Sequence, residues 1–155
     1  MITSNDLFEL AAFDLPRIKS EAAARRAIST AYYAVFHAIA WAGANLFNGP
    51  EQVRQRIARS YDHAAVGKMA AEMASRAKLP GADPGLAVIA RNFPQLYRMR
   101  QTADYDLSAD ITWKDGADSI LQALDLMRHL DTLKAQPTFA ELLLLPLLRD
   151  AARRG

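Results

Sequence analysis

From Arg26 to Trp41 the chain reads Arg-Ala-Ile-Ser-Thr-Ala-Tyr-Tyr-Ala-Val-Phe-His-Ala-Ile-Ala-Trp, a stretch with helical periodicity and one charge. Ile28, Tyr32, Val35, Ile39, Ala42 and Leu46 follow at spacings of 4, 3, 4, 3 and 4, which puts them on one side of an α-helix. Arg26, Thr30, Tyr33 and His37, spaced 4, 3 and 4, share another side. A helix this apolar has to be buried, and its few polar groups then need partners inside the protein or in a cleft. These two demands predict a bundle with an internal or half-open polar site.

Burial has a rival in the membrane. From Ala27 to Pro50 there are 24 residues without Lys, Arg, Asp or Glu, longer than the roughly 18 that flag a spanning helix. Ser29, Thr30, His37, Asn45 and Asn48 interrupt that window, and much of the rest is alanine. On a transfer scale this favours burial in a bundle over a span. The 155 residues suffice for one domain with a real core. We therefore expect a single domain over 1–155, with an N-terminal segment at 1–15 and an apolar, basic tail at 137–155. Hydrophobic residues at 51% and charged residues at 23% are the balance of a folded globular chain.

The chain has no cysteine, which excludes disulfides, thiol nucleophiles and thiolate metal sites and fits a reducing cytoplasm. Its first residues, Met1 to Asp14, lack the pattern of a secretory signal. A net charge of +2, from 19 basic and 17 acidic residues, is too small to imply nucleic acid unless the basic groups cluster. No phosphate-binding Gly-rich loop occurs, and His37, His63 and His129 lack the spacings of helical metal sites. We expect neither a metal nor a cofactor.

Nearly every segment reads as helix. A long helix is predicted over 16–47, with Pro16 in its first turn and Asn48-Gly49-Pro50 beyond its end. Shorter helices follow at 51–59 and about 62–77, and Pro94 interrupts one at about 86–107. Asp110 or Thr112 caps the next, to about Ala135, with Leu121, Leu124, Met127 or Arg128, and Leu130 as its stripe. Pro137-Thr138 opens a last segment to about Arg153, where Arg149, Arg153 and Arg154 can favour the helix C-terminus or a basic surface. The short connections favour antiparallel neighbours.

Three polar groups stand out. Tyr33 and His37 are one turn apart, so they can line a pocket with Arg26 or simply be satisfied in the core. Tyr61-Asp62-His63, with Lys68 beyond, opens a helix, where Asp62 suits an N-cap. Arg98 to Asp106 is the densest polar run; Arg100 and Asp104 sit at i,i+4. They form either a surface ion pair or a guanidinium fork steered toward phosphate by its carboxylate.

These blocks resemble the HEPN superfamily of small helical proteins. The string Arg-Arg-Ala-x-Ser-x-Ala-Tyr-Tyr-Ala-x-Phe-His is matched by Arg25 to His37. A looser Tyr-Asp-His-Lys block is matched by Tyr61, Asp62, His63 and a displaced Lys68. A third block is matched by Phe93, Leu96, Arg100, Ala103, Asp104, Tyr105 and Asp106, and the three span about residues 20–130. The resemblance implies an all-α, up-and-down bundle of four or five helices, commonly a homodimer, with a polar cleft. It also implies a nucleotide or RNA ligand, a toxin–antitoxin, defence or RNA-processing setting, and an antitoxin or nucleotidyltransferase partner. Many members are metal-independent ribonucleases with a His four to six residues after an Arg. Here Tyr105 stands in that place, and a phenol titrating near pH 10 is a poor substitute for imidazole.

Three expectations follow. In the first, a cleft of Arg26, Tyr33, Lys68, Arg100, Asp104 and Tyr105, with His37 beside it, binds a nucleotide or RNA phosphate. In the second, Arg100 with His37 or His63 performs metal-independent RNA cleavage. In the third, the polar groups satisfy one another and the chain is a dimerisation or partner-binding module.

Overall fold

The computed structural model describes residues 2–151, with side chains described through residue 148. The side chains of Arg149, Arg153 and Arg154 lie outside that range. The described chain is all-helical, without strands. Its α-helices are α1 (Ser4–Glu9), α2 (Glu21–Ala44), α3 (Glu51–Arg59), α4 (His63–Arg76), α5 (Pro84–Tyr105), α6 (Trp113–Leu133) and α7 (Pro137–Ala151). A π-helical segment, Leu10–Asp14, and a 3-10 turn, Leu15–Arg17, join α1 to α2. The expectation of four or five helices therefore undercounts, because short helices flank the long ones.

Caps set most boundaries. The Ser20 hydroxyl accepts from Ala23 N–H, so α2 starts at Glu21 rather than residue 16, and Pro16 belongs to the 3-10 turn. Asp62 accepts from Ala65 N–H at 2.7 Å and starts α4. Thr112 and Asp115 form a capping box at the head of α6. Pro94 sits inside α5 without ending it. An interior proline disfavours helix by about 3 kcal/mol. The burial of Ile89, Phe93 and Leu96 around it opposes that loss.

Helix α2 is the hub: α5 and α6 pack on it and on each other, α1 and α3 lie against it, and α4 packs between α5 and α7. Ile28, Tyr32, Val35 and Ile39 are fully buried, as their spacing predicts, while Leu46 falls beyond the helix end and is exposed. On α6 the buried face is Gly116, Ser119, Ala123, Leu126, Leu130 and Leu133. The expected stripe through Leu121 is displaced, and Leu121 is 63% exposed. Small residues at 116, 119 and 123 let α6 approach closely, and that decides the face against leucine count. No helix among the described residues is long and apolar enough to cross a membrane.

Candidate functional site

Packing of α2 on α5 gathers the polar residues of both helices. Arg100, only 9% exposed, points from α5 at the middle of α2. Its Nη2 donates to the Tyr33 hydroxyl at 2.7 Å and to the Tyr105 hydroxyl at 3.3 Å. Its Nε is 2.8 Å from Asp104 Oδ2, an ion-pair distance, although the N–H is not aligned on that oxygen. The same carboxylate oxygen accepts from the Ser29 hydroxyl at 3.1 Å. The guanidinium carbon lies 5.1, 5.3 and 6.0 Å from the ring centroids of Tyr105, Tyr33 and Tyr32. Burial works to lower the Arg100 pKa, but Tyr33, Asp104 and Tyr105 outweigh it and the net shift is upward. The group is a fixed cation.

His63, the first residue of α4, completes the cluster. Its Nδ1 is 2.6 Å from the Tyr32 hydroxyl, and its ring lies 4.5 Å from Phe36 and 6.1 Å from Tyr33. Burial lowers the His63 pKa, Arg100 lowers it further, and Asp62 opposes both. The imidazole is therefore neutral at neutral pH. Burial drives the Tyr32 phenol strongly upward, so it keeps its proton. Nδ1 is thus occupied by a neutral hydroxyl, and proton exchange with a ligand would have to run through Nε2.

The remaining predicted residues lie elsewhere. His37 does not join Arg100: its Nε2 accepts from Trp41 Nε1–H at 3.3 Å, and it lines a cavity shared with α3. One helical turn separates Tyr33 from His37, and over that turn the neighbour of α2 changes from α5 to α3. Arg26 is exposed and makes no hydrogen bond or ion pair among the described residues. Lys68 is likewise exposed, five residues beyond His63 and so on a different side of α4. Asp62 is the cap of α4. Tyr61 is buried and structural; its hydroxyl donates to the Leu143 carbonyl, and burial raises its pKa to about 12.

Arg25, not Arg26, is the arginine that shapes the site. Its Nη1 donates to the carbonyls of Ala103 at 3.1 Å and Asp106 at 2.9 Å, and its Nη2 to that of Ala109. Glu21 holds Nε at 2.7 Å. These bonds gather the C-terminal end of α5 and the turn after it, the segment that carries Asp104 and Tyr105. The signal was present in the spacing: Arg25, Ser29 and Tyr33 recur at every fourth residue.

No family model matches this chain, and neither a curated protein nor a solved structure does. Among the described residues no three His, Asp or Glu side chains cluster as a metal site would require. The arrangement offers a preset cation, the rings of Tyr33 and Tyr105 and a neutral imidazole, with Tyr32 itself fully buried. In chemical terms it suits an anion attached to a flat ring.

Proposed function

We propose that the protein is a HEPN-like helical module that binds the phosphate of a nucleotide or of single-stranded RNA at Arg100. One observation carries this reading. A nearly buried guanidinium is held through Nη2 by two phenols and flanked by Asp104, and Nη1 takes no part in those contacts. A preorganised fork costs little ordering when a phosphate oxygen arrives. Tyr105, 71% exposed, presents a ring face on which a base can stack. Tyr33 and Asp104 orient the cation in this reading, whereas Arg26 and Lys68 are at most distant charges.

The test is fluorescence anisotropy with a labelled short RNA and with ATP as competitor. Arg100→Lys keeps the charge and loses the fork, so affinity should drop about tenfold or more, near 1.4 kcal/mol. Helicity should be unchanged by circular dichroism. Equal binding by wild type and Arg100→Lys would leave Arg100 as a pin between α2 and α5, and the protein as a partner-binding module.

A second reading, metal-independent RNA cleavage, draws on the placement of His63. Its depressed pKa leaves it neutral, so Nε2 can take the 2′-OH proton as the 2′-oxygen bonds to phosphorus and return it to the 5′-oxygen as the P–O5′ bond breaks. Arg100 would neutralise charge on the non-bridging oxygens. Cleavage in chelator that is lost in both Arg100→Lys and His63→Asn supports this chemistry. Intact RNA after prolonged incubation removes it and leaves the binding function standing.

A further inference from the structure

One helical turn along α2 from Tyr33, where α3 replaces α5 as the neighbour, lies a cavity of about 360 Å³. Small-molecule sites start at roughly this size. The rings of Phe36, Trp41 and Tyr61 form its walls, and Ala40 and Ala58 leave the space between them open. Its polar lining is His37, Gln55 and Arg59, with no carboxylate among the lining residues. The Tyr61 hydroxyl is committed to the Leu143 carbonyl, and the Gln55 amide nitrogen donates to Glu51 at 3.1 Å. The phenol is thereby spent, while the Gln55 amide keeps one N–H of its two.

His37 is different. Because its Nε2 accepts from Trp41, the ring proton resides on Nδ1. That Nδ1–H is buried and has no acceptor among the described residues. A buried donor left unpaired costs about 1–3 kcal/mol, so an acceptor arriving there recovers a real deficit. Nδ1 itself is closed to solvent, the cavity included, so a ligand in the cavity reaches it only when the His37 ring shifts within the cavity wall. Arg59, exposed at the end of α3, forms no ion pair among the described residues and is the one formal charge among the described lining residues. Burial lowers the His37 pKa, so the imidazole adds no second charge at neutral pH.

We infer that this cavity between α2 and α3 binds a small arylalkyl carboxylate. Its ring packs against Trp41, Phe36 and Tyr61, its anionic end faces Arg59, and the His37 Nδ1–H is its neutral donor. The aromatic walls select a flat apolar body, and the unopposed guanidinium selects a monoanion over a cation. The site shares no residue with the Arg100 cluster except the outer wall at Phe36, which also touches His63.

The cavity contains its own reporter. Trp41 and Trp113 are the two tryptophans, and Trp113 packs elsewhere, on the small cluster of Ala24, Ile28, Ala103 and Ile111. In the full chain carrying Trp113→Phe, 4-phenylbutyrate is titrated while Trp41 emission is followed, with 4-phenylbutanamide as the neutral comparator. Phenylbutyrate should give a saturable change and bind roughly fivefold tighter than the amide, the scale of one exposed ion pair. Arg59→Gln, a surface substitution, should abolish that preference, and His37→Phe should weaken acid and amide alike. No saturable change at millimolar ligand overturns the inference. So does equal affinity for acid and amide, or a preference that survives Arg59→Gln.

Discussion

The Tyr32 hydroxyl lies 2.6 Å from Nδ1 of His63, tying the middle of α2 to the first residue of α4. Both groups are more neutral in the fold than in the free chain, since the phenol is shifted up and the imidazole down. His37 is shifted down as well. A histidine with a depressed folded pKa gives stability that is present above its unfolded value, about 6.5, and is lost as pH falls through the folded value. Thermal midpoints should therefore decline as pH is lowered from about 7.5 to about 5, before most carboxylates titrate. A His37→Phe, His63→Phe double variant should show a flatter profile over that window. An equally steep decline in the double variant would contradict the buried-imidazole account.

Arg25 and Arg26 are adjacent, yet only Arg25 turns toward the protein. Arg25→Ala strips the donors from the carbonyls of Ala103, Asp106 and Ala109, so it should cost about 2–3 kcal/mol in denaturant unfolding. Arg26→Ala should stay within about 0.5 kcal/mol of wild type. Equal costs at the two positions would mean that the α5 turn is held by something other than Arg25.

Of the glycines, Gly43 permits the closest approach. A Cβ there would lie 1.7 Å from the Tyr61 hydroxyl oxygen and 2.6 Å from its Cζ, in the buried contact between α2 and the start of α4. Gly43→Ala should gain helix propensity but lose about 1–3 kcal/mol to overpacking, lowering the denaturation midpoint. A midpoint equal to wild type would show that Tyr61 moves aside freely.

Arg100 and Asp104 should be coupled through more than the helix surface. Their side chains are 11% and 23% exposed, and Ser29 shares the carboxylate. A double-mutant cycle of Arg100→Met and Asp104→Asn should return a coupling energy of about 1–2 kcal/mol. An exposed i,i+4 pair gives only about 0.3–0.5 kcal/mol. A value in that lower range would place the pair with ordinary surface salt bridges.

Local chemistry determined the helices. Apolar spacing marked the buried side of α2, and Asp62 and Thr112 marked where α4 and α6 begin, because a cap needs only its own next turn. Arg100, Asp104, Tyr105 and Tyr33 were also legible as polar residues in apolar or dense surroundings, and they were expected in one cleft together with Arg26, His37 and Lys68. The tertiary structure decided which of them meet. Tyr33 and His37 stand one turn apart on α2, but α5 crosses at the first and α3 lies at the second, so one joins Arg100 and the other faces a separate cavity. His63 reaches the Arg100 cluster only because α4 packs on α5, and Arg25 rather than Arg26 turns inward because the end of α5 lies on its side of α2. Periodicity within one helix says which side is buried; which neighbour covers each turn is a property of how the helices pack.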